Sequence, residues 1–514
     1  MQKSITLVLS PKESNEDASI RLAVLKNLQI TDEELTAVQV VRKSIDARNR
    51  QVKFNVLIDV FINEKPEEIP FDPDFKMVND APRIVIVGSG PAGLFAALRL
   101  IQLGYKPIIL ERGKEVSDRK RDIAKLNRES IVDEDSNYAF GEGGAGTFSD
   151  GKLYTRSTKR GDVRNVLNQL IFHGADANIG VDAHPHIGTN KLPRIIQKIR
   201  ETILNFGGEF HFNQRVDDFI IEENKIIGVK AGANSYQGEA VILGTGHSAR
   251  GIYELMFEKD ILLEAKAFAM GVRVEHPQSI IDSIQYHCEV RDEYLPAAAY
   301  SLVSQVNGRG VYSFCMCPGG FIVPATTSPN ETVVNGMSPS MRNSKYANSG
   351  MVVQINLEDL DDYKQFGVLA GLRFQQDLER MAFNNGGLGQ AAPAQRLVDF
   401  VKGKVSRDLP PTSYHPGIVS SPIHAWLPQH IGPRLQQGFK DFEKKMKGYL
   451  TNEAVILGVE SRTSSPIRIP RDKISLEHPQ ISGLYPAGEG AGYAGGIVSA
   501  AIDGQRIAEA IAGK

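Results

Sequence analysis

The stretch RIVIVGSGPAGLFAALRLIQLGYKPIILERG (residues 83–113) decides the fold. It opens on a continuous apolar run, residues 84–87, which predicts a parallel strand buried on both faces. Gly88 then permits a tight turn, Gly90 lets backbone N–H groups approach an anion, and Gly93 lets a helix pack closely on the strand. The stretch therefore predicts a strand, a glycine turn and a helix built around an anion site.

The rest of the stretch completes this motif. Pro91 suits the first turn of a helix, whose positive N-terminal end favours anions. Gly104 ends the helix, and a second apolar strand, residues 107–110, leads to Glu111. That carboxylate follows Gly93 by 18 residues and stands where a ribose diol is held. This order of elements is the dinucleotide fingerprint, and its acid favours an unphosphorylated ribose, as in NAD or the ADP half of FAD.

Three later segments favour FAD. FGEGGAGTFSDGKL (residues 140–153) offers a backbone-rich surface that can follow a long ligand, and GTG (residues 244–246) turns another buried strand under the nucleotide. GLYPAGEGAGYAGG (residues 483–496) is a second strand and glycine turn. NAD alone would leave that distant turn without a ligand. A two-nucleotide reductase would show a second full fingerprint, whereas GTGHSARG lacks the third glycine at the proper spacing.

These motifs resemble the FAD-binding domain of the glutathione reductase and succinate dehydrogenase superfamily. More narrowly, FGEGGAGTFSDGKL, KAFAMGVRVEHPQ, SFCMCPGG and ESRTSSPIRI resemble a bacterial family of uncharacterised FAD-dependent dehydrogenases over nearly the whole chain. The resemblance implies that Glu489 meets the ribityl and pyrophosphate part of FAD, although the family has Asp more often there. It also implies that the helix starting near residues 495–497 points at the pyrimidine edge of the flavin.

Two glycine turns then serve two ends of one cofactor. The first binds the ADP end, and the second places a helix N-terminus where a reduced flavin gains negative charge. The residues expected to bind FAD are Gly88, Gly90, Pro91, Ala92, Gly93, Glu111, Arg112, Gly143, Gly144, Gly146, Thr147, Ser149, Lys152, Val216, Gly244, Thr245, Gly246, Gly488, Glu489, Gly495, Gly496 and Ile497.

Composition sets the class. The chain has 514 residues and 41% hydrophobic content, which describe a globular protein of two or three domains. Its net charge of −2 gives no overall positive electrostatic potential that would attract nucleic acid or anionic lipid. The first 17 residues are too polar for a signal peptide, and no apolar run approaches the roughly 20 residues of a membrane span. Three cysteines fit a reducing compartment, so we expect a cytoplasmic protein without a disulfide framework. The usual zinc spacing is absent, so no metal is expected.

We expect an α/β protein whose Rossmann-like FAD-binding domain is interrupted by an α+β substrate or cap domain. The expected boundaries are residues 1–79 for a small ferredoxin-like α+β module, 80–265 and 452–514 for the two parts of the FAD-binding domain, and 266–451 for the insertion, an antiparallel sheet with helices. A basic hairpin, residues 42–53, could hold a phosphate-rich partner, but a solvated turn is the preferred interpretation.

Four side chains are candidates for catalysis. Cys315 and Cys317 should share one face of a strand. They could form a redox pair beside the flavin, or be buried apolar residues, since the short spacing would strain a disulfide. His415, in a proline-rich loop, could move a proton. Arg462 could bind a carboxylate or polarise a carbonyl, or instead cap a helix or pair with Glu460.

The sequence thus predicts an FAD-dependent oxidoreductase that exchanges hydride between flavin N5 and an unidentified small organic substrate, with NAD(P)H left open as a transient donor. Neither a membrane nor nucleic acid is expected as a partner. One alternative is a flavin monooxygenase. Another is a non-catalytic, flavin-dependent module that has a regulatory role or associates with RNA, with the N-terminal hairpin as its contact surface.

Overall fold

The computed structural model describes residues 1–67, 70–155, 161–387 and 389–513. Its N-terminal part contains β1 (Gln2–Leu9), α1 (Asp17–Leu28), β2 (Leu35–Asp46) and β3 (Lys53–Ile62). The strands form an antiparallel sheet in the order β1-β3-β2. A ferredoxin-like fold would add a second helix and a fourth strand. Within residues 1–67 the structure shows only the first four elements, so that part of the prediction is corrected to a three-stranded sheet with one α-helix.

The nucleotide-binding part follows, and it contains helices and strands in alternation. In chain order they are β4 (Arg83–Val87), α2 (Pro91–Leu103), β5 (Lys106–Leu110), α3 (Val116–Glu129), α4 (Val163–Phe172), α5 (Leu192–Asn205), β6 (Glu209–His211), β7 (Asp218–Glu222), β8 (Lys225–Ala231), β9 (Asn234–Gln237), β10 (Ala240–Leu243) and α6 (Arg250–Glu258).

The inserted part and the return to the nucleotide fold complete the chain. Their elements are β11 (Glu264–Ala265), β12 (Phe268–Pro277), α7 (Gln278–Tyr286), β13 (Val303–Val306), β14 (Arg309–Cys317), β15 (Phe321–Pro324), β16 (Val334–Met337), β17 (Tyr346–Ile355), α8 (Ala370–Asn385), β18 (Ala392–Arg396), α9 (Leu397–Lys402), β19 (Ile418–Ser420), α10 (Ile423–Trp426), α11 (Gly432–Lys445), β20 (Val455–Glu460), β21 (Ile467–Arg468), β22 (Leu484–Pro486) and α12 (Ile497–Ala512).

A five-stranded parallel sheet, in the order β22-β10-β4-β5-β6, joins the two glycine turns. Along β4, Ile84 and Ile86 pack into the layer of α2, α5 and α12, whereas Val85 and Val87 pack into the layer of α6 and the β7-β8-β9 sheet. Both faces of the strand are therefore buried. This explains why its sequence is continuously apolar rather than alternating.

A seven-stranded sheet, in the order β13-β14-β17-β12-β20-β18-β19, forms the inserted part. It is antiparallel except between β18 and β19, in agreement with the predicted antiparallel sheet. Strand β20 pairs with β12 and β18, although it lies beyond the expected boundary at residue 451. The inserted sheet therefore extends to Glu460, because β20, which lies between β12 and β18 in the sheet, is the last of the seven strands in the sequence.

Among the described residues, none of the helices has the length and apolar character needed to cross a membrane.

Candidate functional site

The turn after β4 shows why each of its glycines is needed. A Cβ on Gly93 would lie 2.0 Å from the carbonyl oxygen of Gly88, and one on Gly88 would lie 2.9 Å from that of Gly244. Both glycines therefore permit close packing of backbone. A Cβ on Gly90 would meet no heavy atom within 4 Å. The open side of Gly90 faces a cavity, as expected for a residue that lets a ligand approach the backbone.

The turns after β10 and β22 meet the first one. These three strands are neighbours in the parallel sheet, so their carboxyl ends lie at one edge, where α/β folds bind ligands. Gly490 approaches the turn after β10 so closely that a Cβ would lie 2.1 Å from the carbonyl oxygen of Thr245. Gly246, Gly495 and Gly496, like Gly90, have open sides, where an added Cβ would have no atom within 4 Å. The turns thus form one cradle of bare backbone.

The cradle borders a cavity of about 680 Å³, within the roughly 300–1,000 Å³ of ligand pockets. From here on, "the cavity" means this space. Its wall includes the expected residues Gly88, Gly90, Pro91, Ala92, Glu111, Arg112, Gly144, Gly146, Ser149, Lys152, Val216, Gly244, Thr245, Gly246, Glu489, Gly495, Gly496 and Ile497, together with Cys315 and Arg462.

Four expected cofactor residues lie behind this wall. Thr147 donates its hydroxyl to the carbonyl of Glu142 at 2.7 Å, Gly488 donates its N–H to Asp503 at 2.9 Å, and the N–H of Gly143 reaches the Ser89 hydroxyl at 3.3 Å. Gly93 sits in the helix packing described above. The structure places these four residues as supports for the turns rather than as parts of the cavity surface.

Glu111 lies buried at the cavity wall and holds three segments together. Its carboxylate accepts hydrogen bonds from the N–H and hydroxyl of Ser89, at 3.1 and 2.6 Å, and from the N–H groups of Gly113 and Gly141, at 2.9 and 3.0 Å. A carboxylate offers roughly four acceptor positions. Four protein donors therefore fill about all of these positions, so a ribose hydroxyl would compete with them for this carboxylate, a detail that the fingerprint does not reveal.

Arg112 borders the same part of the cavity. Its guanidinium lies 3.9 Å from the centre of the Phe140 ring and donates from Nε to Asp135 at 2.8 Å. Phe140 and Val216 also line the cavity. Stacking on the ring and pairing with Asp135 fix the orientation of the arginine, so this part of the wall is preorganised.

Glu489 and His247 form a titratable pair in the wall. The Glu489 Oε2 and His247 Nε2 atoms lie 3.9 Å apart. Burial raises the pKa of Glu489 to about 7, and the charge of Cys315 adds to the shift. Burial lowers the pKa of His247 to about 4, and the positive charge of Arg462 acts in the same direction. At neutral pH the histidine is therefore neutral, and the glutamate can hold or release a proton.

Arg462 lies in the wall but is largely engaged by neighbours. Its Nη2 pairs with Glu379 at 2.9 Å, and its Nη1 donates to the hydroxyls of Thr327 and Ser248 at 2.7 and 3.3 Å. Arg250 also pairs with Glu379, at 2.5 Å. Burial would raise the pKa of Glu379, but the two arginines outweigh it and hold that pKa below its usual range. The predicted alternative of an internal ion pair thus has Glu379, not Glu460, as the partner.

Glu460 pairs instead with Arg273. The Arg273 Nη1 and Glu460 Oε2 atoms lie 3.2 Å apart on neighbouring strands β12 and β20, and both side chains are buried. Arg273 also donates to the carbonyl of Cys315 at 2.9 Å. This arginine connects the centre of the inserted sheet to the cavity wall.

The two cysteines and Lys152 lie together. The Lys152 Nζ is 3.8 Å from the Cys315 Sγ and 3.9 Å from the Cys317 Sγ. Cys315 lines the cavity, whereas Cys317 is fully buried and does not line it. The expected strand alternation is broken here, because Cys315 has a φ of 44° and the pairing of β14 with β17 shifts between Phe314 and Cys317.

His415 lies outside the cavity wall. It is exposed in the loop between α9 and β19, and the nearby Tyr414 is buried, with its hydroxyl donating to the carbonyl of Gln390 at 2.7 Å. His424 faces Gln395, with its Nδ1 2.7 Å from the amide nitrogen. The structure therefore separates these histidines from the residues gathered around Glu489.

Sequence reasoning missed several residues of the wall. His247 directly follows the GTG turn, and Asp150 lies within the glycine-rich segment, so position alone could have indicated both. Phe314 and Asn335 also line the cavity, from β14 and β16. The sequence around Glu379 does not indicate its role, because only folding brings Glu379 next to Arg462.

Comparison with known proteins agrees with this site. A family model described as "FAD-dependent protein, C-terminal domain-like" matches residues 267–463, and a model described as a domain of unknown function matches residues 1–61. An "Uncharacterized protein" of Clostridium beijerinckii is 39% identical over 508 residues, which cover 95% of this chain and 94% of that protein.

Two solved structures are similar at low identity. CtdE in complex with FAD is 12% identical, with a TM-score of 0.34, and the match covers 84% of each chain. A geranylgeranyl bacteriochlorophyll reductase-like protein from Thermoplasma acidophilum is 12% identical, with a TM-score of 0.35, and the match covers 83% of this chain and 77% of that one.

The cofactor that the glycine turns were expected to hold is FAD, in agreement with the matched FAD-dependent domain. By its identity over nearly its full length, the chain belongs to the same family as the Clostridium beijerinckii protein.

Proposed function

We propose that this protein is an FAD-dependent oxidoreductase that exchanges hydride with a small organic substrate. One observation carries the proposal: the two strand–turn–helix units, from distant parts of the chain, open into a single cavity. The wall of that cavity also holds Glu489, His247 and Cys315, which are groups able to move protons or electrons. We further assign the nucleotide part to the glutathione reductase and succinate dehydrogenase superfamily, because its fingerprint and terminal turn follow that pattern.

The wall suits the cofactor at both ends. Gly90 and the N-terminus of α2 offer backbone N–H groups to a diphosphate, while Glu111 and Arg112 border the part expected to hold the adenosine. Gly495, Gly496 and Ile497 begin α12 and would meet the flavin end. The open sides of Gly90, Gly246, Gly495 and Gly496 are the test of fit, because a Cβ at any of them would enter the space that FAD needs.

FAD supplies two-electron hydride chemistry when bound. The protein's contribution is the electrostatic setting. The partial positive charge at the start of α12 and the ammonium of Lys152 both border the cavity, and both favour negative charge there. This arrangement suits a cofactor that becomes more negative on reduction.

Glu489 is the residue best suited to hold or move a proton. Its pKa is raised to about 7 by burial, so it is near half ionised at neutral pH. His247, neutral at this pH, lies 3.9 Å away and is a second titratable group beside it. Arg462 acts as a positioning residue, because its donors already hold Glu379, Ser248 and Thr327 in place.

The substrate class is inferred from the residues that the inserted part contributes to the cavity wall. Phe314, Asn335 and Thr463 present one aromatic ring, one amide and one hydroxyl to the cavity. A few polar groups set among apolar surface are typical of small-molecule sites. We therefore assign a small organic molecule as the substrate, with the inserted sheet covering it.

The test is to purify the protein and follow the bound flavin anaerobically. We expect a yellow protein whose visible absorbance bleaches with NADH, with NADPH or with one member of a metabolite panel. A Glu489→Gln variant should keep its FAD and lose the neutral-pH dependence of the bleaching rate, whereas Glu222→Gln, at an exposed site, should behave as wild type. A flavin that even dithionite does not reduce would contradict the proposal. Oxygen transfer to product by the reduced protein would identify a monooxygenase instead.

A further inference from the structure

Cys315, Cys317 and Lys152 form a cluster, and the function above gives its two thiols no defined step. Cys315 lines the cavity, and Cys317 is fully buried and does not line it. The Lys152 Nζ lies within 3.9 Å of both sulfur atoms. Two thiols at a shared cation, one lining the cavity and one buried, are more than the packing of a small apolar residue requires.

The backbone around Cys315 is specialised to hold this arrangement. Cys315 adopts a φ of 44°, in the left-handed region that non-glycine residues rarely occupy. Arg273 donates to the carbonyl of Cys315 at 2.9 Å, and Lys152 donates to the carbonyl of Met316. Two cations therefore stabilise this strained turn. Strained backbone conformations of this kind are concentrated at functional sites.

The charges distinguish the two thiols. A hydrogen bond with Cys317 lowers the pKa of Cys315 well below its usual range, against the opposing effect of burial and with help from Lys152 and Arg273. The same hydrogen bond and burial raise the pKa of Cys317. Three carboxyl groups also act on the cluster, because Asp150 opposes the Cys315 thiolate and the charge of Cys315 raises the pKa of Glu460 and Glu489. The thiol at the cavity, Cys315, therefore loses its proton more readily than its partner Cys317.

We propose that Cys315 and Cys317 are a redox pair that exchanges two electrons with the bound FAD. The inference rests on the proposed function, because it requires FAD in the cavity. In the oxidising direction, a bond forms between the two sulfur atoms, the S–H bond of Cys317 breaks, and two electrons with that proton pass to FAD. The products are a disulfide and the reduced FAD anion, so the charge of the thiolate is conserved. The reverse direction restores the dithiol.

Electron counting tests the pair directly. The FAD-loaded protein is oxidised with an excess of ferricyanide, freed of the reagent, and then titrated anaerobically with dithionite. The wild type should take up two electrons more per chain than Cys317→Ser, because a disulfide and a flavin are each two-electron couples. Cys288→Ser, which removes the third cysteine, should match the wild type. Equal uptake by the wild type and Cys317→Ser would overturn the proposal.

A second readout needs no variant and no bound cofactor. After oxidation, a digest of the wild type analysed by mass spectrometry should contain the peptide with Cys315 and Cys317 joined and two hydrogens lighter. Two free thiols in that peptide would overturn the pair even if FAD is bound and reducible. Conversely, failure to retain FAD would overturn the proposed function, while the joined peptide would still show a reactive pair.

Lys152 can be tested as a positioning residue through the ultraviolet absorbance of thiolate. Lys152→Met should move the appearance of the Cys315 thiolate to higher pH, while Lys152→Arg should keep it near the wild-type position. The Cys315 contribution is the part of the signal that Cys315→Ser removes. Identical pH profiles for wild type and Lys152→Met would exclude this role.

Discussion

Gly504, in the last helix of the chain, lies against Ala92 in the first helix of the nucleotide fold. A Cβ on Gly504 would stand 2.0 Å from the carbonyl oxygen of Ala92, a distance that no backbone adjustment of a few tenths of an ångström can relieve. Gly488, at the turn before α12, also approaches Ala92, with a Cβ position 3.0 Å from its side chain. These contacts set the spacing of the two glycine turns.

Gly504→Ala should therefore push α12 away from α2. We expect a loss of about 1–3 kcal/mol of stability, typical of overpacking, and weaker retention of FAD. Gly513→Ala is the matched control at the end of the same helix, where a Cβ would make an ordinary contact of 3.4 Å. Thermal unfolding and FAD content measure both effects. Equal midpoints for the two variants would contradict the close packing.

Gly90 and Gly93 should respond differently to the same change. Gly90→Val should fold, because the new side chain would enter open space and the backbone at this position is extended. Its affinity for FAD should fall by at least about tenfold. Gly93→Val should damage the fold itself, since its Cβ would meet the carbonyl of Gly88. Circular dichroism and fluorescence titration with FAD separate the two outcomes. A Gly90→Val protein that binds FAD normally would show that the cradle is misassigned.

Much of the nucleotide fold could be predicted because its signals are local. The central strands of a parallel sheet have no polar face, so the runs at residues 84–87 and 240–243 are unambiguous. Strand β9 (Asn234–Gln237) was missed, because an edge strand of polar residues carries no such run. Strand β20 was assigned to the wrong side of a boundary, since pairing with β12 depends on contacts far along the chain.

The site divides in the same way. The glycine turns could be predicted because a missing Cβ acts on the immediate backbone. The partner of Arg462 could not, because Glu379 lies 83 residues away and only folding brings them together. The left-handed turn at Cys315 could not be predicted either. A regular strand was the expected conformation, and the cations that stabilise the turn come from other segments.

Glu379 should be essential for stability. Glu379→Gln removes one of two buried carboxylates, Glu379 and Glu331, that both pair with Arg250 and Arg462, and we expect a cost of about 3–5 kcal/mol. Glu509→Gln is the matched control, because its pair with Arg99 is exposed and should contribute less than about 1 kcal/mol. Urea unfolding of both variants measures the difference. A Glu379→Gln midpoint as high as that of Glu509→Gln would contradict the role assigned to this cluster.

Stability should fall as pH rises through neutrality. The pKa of Glu489 is raised to about 7 in the folded protein, above its ordinary value of 4.5, so the folded state binds more protons between these values. Its contribution is complete below about pH 4.5 and is lost as pH rises through about 7. Glu489→Gln should flatten this part of the thermal midpoint profile, leaving a remainder from Glu331 and Glu460, whose pKa values are also raised to about 7. An unchanged slope would contradict the assignment.

The central claim is that one FAD molecule spans both glycine turns, and a crystal structure of the protein with bound FAD tests it most directly. We predict density for the diphosphate at Gly90 and the start of α2, and density for the tricyclic ring beside Ile497 at the start of α12. Density for FAD at one turn only, with the ring directed away from α12, would contradict the account.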